Sequence, residues 1–182
     1  MPVAVVVSVV VLVLLGLTFC VVPVAALRYG EAAERAAERE VLKAGLESDV
    51  LVEHRVRFKE SASEALLPFG IAAVLFVLAG LDLAGVGPAR IASWVFAGLL
   101  FFAGGFITAG QILAARFTQA AFRRSSDPAV RNLDAQAIVD AAGGEFPGWL
   151  RPVQYVRFAL TTVGSALVIV LLATPAAGAH FG

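Results

Sequence analysis

Four long stretches, each with at most one ionisable side chain, constrain this chain more than any other feature. Met1 to Leu27 has no charged side chain, Ala65 to Ala89 only Asp82, Ile91 to Ala115 none, and Phe158 to Gly182 only His180. A bilayer core about 30 Å thick needs roughly 20 apolar residues in helix, and an amide left unpaired in lipid costs several kcal/mol. Each stretch meets that length, so the expected fold is an all-α integral membrane protein, a four-transmembrane-helix bundle. Its spans are 1–27, 65–86, 91–115 and 157–177. A hydrophobic share of 59% and a charged share of only 15% leave too little polar surface for a water-soluble domain of 182 residues.

Fourteen basic and fourteen acidic residues cancel, which excludes the basic footprint of a nucleic-acid binder. Position carries more information than the sum. Arg28 to Glu64 holds seven basic residues (Arg28, Arg35, Arg39, Lys43, Arg55, Arg57, Lys59), Arg116 to Arg157 holds six (Arg116, Arg123, Arg124, Arg131, Arg151, Arg157), and Arg90 stands alone between the second and third spans. Lys and Arg beside a span resist translocation. The distribution therefore predicts two cytoplasmic loops, 28–64 and 116–156, with both termini and the Val86–Arg90 turn on the other side. Arg, Ala, Gly and Val dominate over Lys, a composition of GC-rich bacterial genomes, so the membrane is expected to be a bacterial inner membrane. The rival reading makes the first stretch a cleaved signal peptide, with Val24 and Ala26 as the small residues. It lacks a basic leader and would translocate both basic loops.

Within the first loop, Glu31 to Leu46 reads as a polar helix with Glu31–Arg35 and Glu40–Lys43 pairs and a thin stripe of Ala33, Ala37 and Val41. A solvated extension of the first span is the expectation, with Pro23 kinking that span. Val50 to Phe58 then alternates with period two, placing Val50, Val52, His54, Val56 and Phe58 on one face. A short strand over 50–58 and a helical return leg both fit. In the second loop Asp127 and Pro128 start a helix that Gly143 and Gly144 end, with Val130, Leu133, Ala137 and Ile138 on its apolar side. Phe146, Pro147, Trp149 and Leu150 lead onto the last span, and Trp149 and Tyr155 suit the headgroup layer. Arg28–Glu64 is net −2 and Arg116–Arg157 net +2, which favours their packing together.

Few residues suggest chemistry. Asp82 is the one acid within a span, where a charge costs about 2.5–3.5 kcal/mol at mid-bilayer, but its place near the span's end fits an interfacial acid beside Arg90. Asp82 and Gln111 form the candidate ion or polar site. His54 and His180 fall on opposite sides of the predicted membrane, so they cannot together hold a haem or metal. Cys20 has no base in its span to activate it. Thr108, Gln111, Ser8, Thr161, Thr162 and Ser165 read as hydrogen-bonding contacts to neighbouring helices, and Gly105 with Ala109 as a close-packing face. No catalytic, metal or cofactor residue is assigned, and no cofactor is expected.

Those features favour a non-catalytic subunit that works by contact, as an accessory, assembly or scaffold protein bound to other membrane subunits or to its own copies. His54, Phe58, Arg123, Arg124 and Trp149 are the expected interaction surface. A small oligomeric channel or transporter built on Asp82 and Gln111 is the second reading. A membrane enzyme built from His54, Glu60, Glu64 and nearby arginines is the third.

Overall fold

A computed structural model describes residues 1–182; 81% of them are helical and none lies in a strand. The elements in chain order are α1 (Val3–Lys43), α2 (Asp49–Glu53), α3 (Ala62–Leu83), α4 (Gly87–Leu99), a π-helical segment Leu100–Gly104, α5 (Gly105–Ile112) and α6 (Ala114–Phe122). They are followed by α7 (Pro128–Arg131), α8 (Ala135–Gly144), α9 (Leu150–Ala159), a second π-helical segment Leu160–Gly164, α10 (Ser165–Ala173) and α11 (Pro175–Phe181). Four continuous helical runs are long and apolar enough to cross a membrane: Val3–Lys43, Ala62–Leu83, Gly87–Ile112 and Leu150–Ala173. They overlap the four stretches read from sequence, and the first is far longer than a span. Residues 31–43 are mostly Ala, Glu, Arg and Leu, strong helix formers, so α1 continues until Gly45 (φ +80°) stops it. Pro23 sits inside α1 without ending it.

The chain divides into two compact units. The first comprises Met1–Val21, Leu66–Ala109 and Val153–Gly182, and the second Val22–Ala65 and Gly110–Pro152. In the first, Leu12, Leu15 and Phe19 of α1 pack with Ala72, Leu75 and Leu78 of α3, Ala97 of α4, and Val168 and Leu172 of α10. Large apolar side chains also cover its outside: Phe102 and Phe106 are each 76% exposed and Val163 71%. Water penalises such a surface and lipid does not.

Four hydroxyls in this unit turn back on their own helices. Ser8 donates to Ala4 O (2.9 Å), Thr108 to Gly104 O (2.8 Å), Thr161 to Arg157 O (2.6 Å) and Thr162 to Phe158 O (2.8 Å). For these four the expected bonds between helices are replaced by intrahelical ones, because a preceding carbonyl lies within reach of a helical Ser or Thr, while Ser165 Oγ is buried without a hydrogen-bond partner. The two π-helical segments face each other. A Cβ on Gly104 would lie 2.7 Å from Thr161 Cγ2, and one on Gly105 would lie 3.2 Å from Thr162 Cγ2. Close packing at Gly105 agrees with the small-residue spacing, whereas Gly98 and Gly110 have open space.

The second unit has its own core. Ala33, Ala37 and Val41 of α1 are fully buried with Val50, Leu51 and Val56 from the first loop and Phe122, Val130, Leu133, Ala135, Ile138 and Ala142 from the second. The alanine stripe is thus not a solvated face: small side chains let other segments approach closely. The two loops do pack together, chiefly through apolar contacts. The exposed Arg39–Glu145 ion pair (3.3 Å) also joins them, and such a pair is worth about 0–1 kcal/mol.

Two local expectations are corrected. The strand over 50–58 is absent: α2 covers 49–53, and Val50 and Leu51 are both buried while Val52 is 69% exposed, a helical pattern. Beyond it the extended backbone has no partner strand. Glu34 Oε2 instead accepts from Phe58 N (2.6 Å) and Lys59 N (3.2 Å), and a charged acceptor of this kind contributes about 1.5–3 kcal/mol. The helix expected from Pro128 to Gly143 is two helices. Asp127 Oδ1 caps the first by accepting from Ala129 N (2.8 Å), and Asp134 Oδ1 starts the second by accepting from Gln136 N (2.9 Å) and Ala137 N (3.2 Å). Restarting at Asp134 changes the phase, so Ala135 and Ala142 are buried and Ala137 is exposed.

Candidate functional site

Two places gather polar side chains, one in each unit. In the first, α3 ends with Asp82 fully buried. Ser93 Oγ of α4 donates to Asp82 Oδ2 (2.7 Å), and His180 Nε2 of α11 lies 3.1 Å from the Asp82 carbonyl oxygen. A carbonyl only accepts, so Nε2 carries the proton in that bond. Gly85 (φ +72°) closes α3, and a Cβ there would lie 2.7 Å from the His180 carbonyl oxygen. Glycine is required both by the left-handed backbone and by the approach of α11.

Arg90 makes no ion pair with Asp82. Its Nε donates to Leu172 O (2.8 Å), and its guanidinium lies 5.0 Å from the Trp94 ring centroid. The carboxylate is thus bonded by Ser93 through Oδ2 while Oδ1 lacks a hydrogen-bond partner, and the half-buried His180 meets the backbone of the same residue. Gln111 lies in the other unit and is not part of this group. Sequence reasoning missed Ser93 and His180 as partners of Asp82. Ser93 is the only hydroxyl between Ile91 and Ile107, and that isolation was the available signal.

In the second unit, the residues after α2 form one wall of a cavity of about 290 Å³. His54, Arg55, Val56, Arg57 and Phe58 face a helix surface of Gly110, Ala114, Phe117, Thr118 and Ala121. Two features of α1 hold the first wall. Glu34 takes its amides, and one turn earlier Gly30 lets it pass: a Cβ on Gly30 would lie 2.8 Å from Phe58 O and 3.0 Å from Lys59 Cα.

His54 Nδ1 bonds Val50 O (2.9 Å) and therefore carries a proton, while the ring packs edge-on to Phe122 at 5.6 Å. Arg57 Nη1 donates to Glu64 Oε1 (3.0 Å). The other oxygen of Glu64 accepts from Ser61 N (2.7 Å) and Ser61 Oγ (2.8 Å), a capping box that starts α3. With both oxygens engaged, Glu64 is committed to structure.

Arg55 is the one non-glycine residue with positive φ (+56°). It ends α2 as glycines end two other helices: Arg55 N bonds Val52 O (3.0 Å) and Val56 N bonds Leu51 O (2.8 Å). Gly45 N to Leu42 O with Leu46 N to Val41 O, and Gly85 N to Asp82 O with Val86 N to Leu81 O, repeat the pattern. A side chain in that conformation costs about 1–2 kcal/mol.

Of the five residues expected at an interaction surface, all lie in the second unit. His54 and Phe58 line the cavity, Arg123 and Arg124 are exposed just past α6, and Trp149 is 49% exposed. No group of three or more His, Cys, Asp or Glu side chains is arranged to hold a metal ion.

No family model, no curated protein and no solved structure matches this chain.

Proposed function

We propose that this chain is a multi-pass membrane protein that works by contact, as an accessory or assembly subunit of a larger membrane complex or as a self-associating scaffold. The observation that carries the reading is the division of labour between the units. Ser8, Thr108, Thr161 and Thr162 in the apolar unit spend their hydroxyls on their own helices. The second unit has its own core and carries the basic and aromatic residues His54, Phe58, Arg123, Arg124 and Trp149 at half-buried or exposed positions. In this reading residues 28–64 and 116–156 lie in the cytoplasm and both termini on the other side, following the positive charges. The bilayer is that of a bacterial inner membrane.

Purification in mild detergent after cross-linking is the direct test. A defined oligomer or partner complex, lost when Arg123 and Arg124 are both changed to Glu, is the expected result. A lone monomer before and after cross-linking overturns the reading. Reporters at Glu40 and Gly182 test the orientation, and a cytoplasmic signal from Gly182 refutes it.

A channel or transporter is the second reading, favoured by one observation: Asp82 is fully buried beside Ser93 and His180, with one carboxylate oxygen unsatisfied. Buried acids in spans are costly and functional by default. Flux in liposomes that Asp82→Asn alters supports this reading, and flux indifferent to that change removes its residue-level basis.

A further inference from the structure

We infer that the cavity beside His54–Phe58 is a binding site for a phospholipid with an anionic headgroup, its phosphate held by Arg55. The inference concerns the second unit alone and does not depend on a protein partner.

Charge comes first. The 54–58 wall brings two arginines and a histidine to the cavity, and no Asp or Glu lines it. Arg57 is engaged by Glu64, whereas Arg55 makes no ion pair. His54 is oriented by its bond to Val50 O and by Phe122, so Nε2 is the ring nitrogen left for an acceptor or donor outside its own helix. Arginine and a positioned imidazole are suited to phosphate oxygens.

The opposite wall supplies the apolar part. Gly110 belongs to the last turns of the run Gly87–Ile112, which is long and apolar enough to cross a membrane, and Ala114, Phe117 and Ala121 continue the same helical face through α6. From Gly110 to Ala121 the wall extends about 16 Å at 1.5 Å per residue. It therefore begins in membrane-type sequence and ends in polar helix, as the boundary between acyl chains and headgroups requires. A cavity of about 290 Å³ lies at the small end of ligand sites and suits a headgroup.

Arg55 supplies an independent argument. Two helices with the same terminal hydrogen bonds use Gly45 and Gly85 for the left-handed residue, and only the cap that lines the cavity uses a side chain. Backbone strain retained at one of three equivalent positions marks a side chain kept for what it does there.

The full-length protein in a neutral detergent provides the test. Dioctanoyl-phosphatidylglycerol, dioctanoyl-phosphatidylcholine and soluble glycerol 3-phosphate would be titrated while bound lipid is counted by native mass spectrometry. Saturable binding of phosphatidylglycerol, at least tenfold tighter than phosphatidylcholine, is expected. Arg55→Gly should weaken it at least tenfold without lowering the lipid-free melting temperature, because glycine suits that backbone. Arg55→Lys should retain part of the affinity. Equal binding of the two lipids, or unchanged binding by Arg55→Gly, overturns the proposal. Glycerol 3-phosphate binding as tightly as the lipid overturns it too, and reassigns the site to a soluble phosphate ester.

Discussion

The two units are built from the same chain but solve the packing problem for different surroundings. In the first, apolar side chains fill the interior and also cover the exterior, as Leu75 at 0% and Phe106 at 76% exposure illustrate. In the second, Phe122, Val41 and Ile138 are inside while Arg35, Arg39 and Lys43 of the same α1 carry charge outward. Helix starts differ in kind as well. Carboxylates of Glu64, Asp127 and Asp134 cap three helix starts of the second unit, where α2 and α6 begin without a side-chain cap, whereas in the first α11 is capped by the neutral Thr174 hydroxyl and α4 begins with none. A charged cap is well solvated in water and expensive in lipid. The contrast teaches that each unit's surface chemistry matches one solvent, and that the loops are a folded body with its own interior.

The largest test of that statement is Phe122→Ala. Phe122 is fully buried, and removing such a ring costs about 3–5 kcal/mol. Hydrogen exchange in detergent should lose protection throughout 22–65 and 110–152 while Leu66–Ala109 keeps it. Equal loss in both would show that the two are one cooperative body. Gly104→Val sharpens the other side, since its Cβ would meet Thr161 Cγ2 at 2.7 Å. Overpacking there should cost about 1–3 kcal/mol by thermal denaturation, whereas Gly98→Ala, with nothing within 4 Å, should be close to neutral. Smallest is Asp134→Ala, which removes a cap of α8 worth about 1 kcal/mol. Its effect should appear only as faster exchange in Ala135–Gly144.

The four apolar runs were legible because a chain that carries no charge over so many residues suits lipid and little else. Asp127 with Pro128 was legible because both residues carry their own backbone instructions. Val50–Phe58 misled because alternation records only which residues are apolar, and a turn of helix followed by an extended tail buries nearly the same set. What decided the matter was Glu34, more than twenty positions earlier, accepting the amides that a strand would have offered a neighbour. The cavity shared that dependence: His54 and Phe58 could be suspected singly, but the close approach at Gly30 and the left-handed Arg55 belong to tertiary structure. The π-helical segments were invisible for a different reason. In a sequence apolar on every side, one residue more per turn leaves no periodic trace.

Those two segments share a pattern, Leu100–Phe–Phe–Ala–Gly104 and Leu160–Thr–Thr–Val–Gly164, with the leucine Cδ2 at 3.5 Å from the site of the missing glycine Cβ in each. A wide turn is an inserted residue accommodated without breaking the helix, and it sets everything beyond it back by about 100° relative to a regular α-helix of the same sequence. The last two apolar runs therefore each consist of two half-helices set to separate clocks. Trimming one residue from either segment would restore a regular α-helix with Thr108 or Ser165 still facing the interior, whereas a regular helix of unchanged length would turn them away from it.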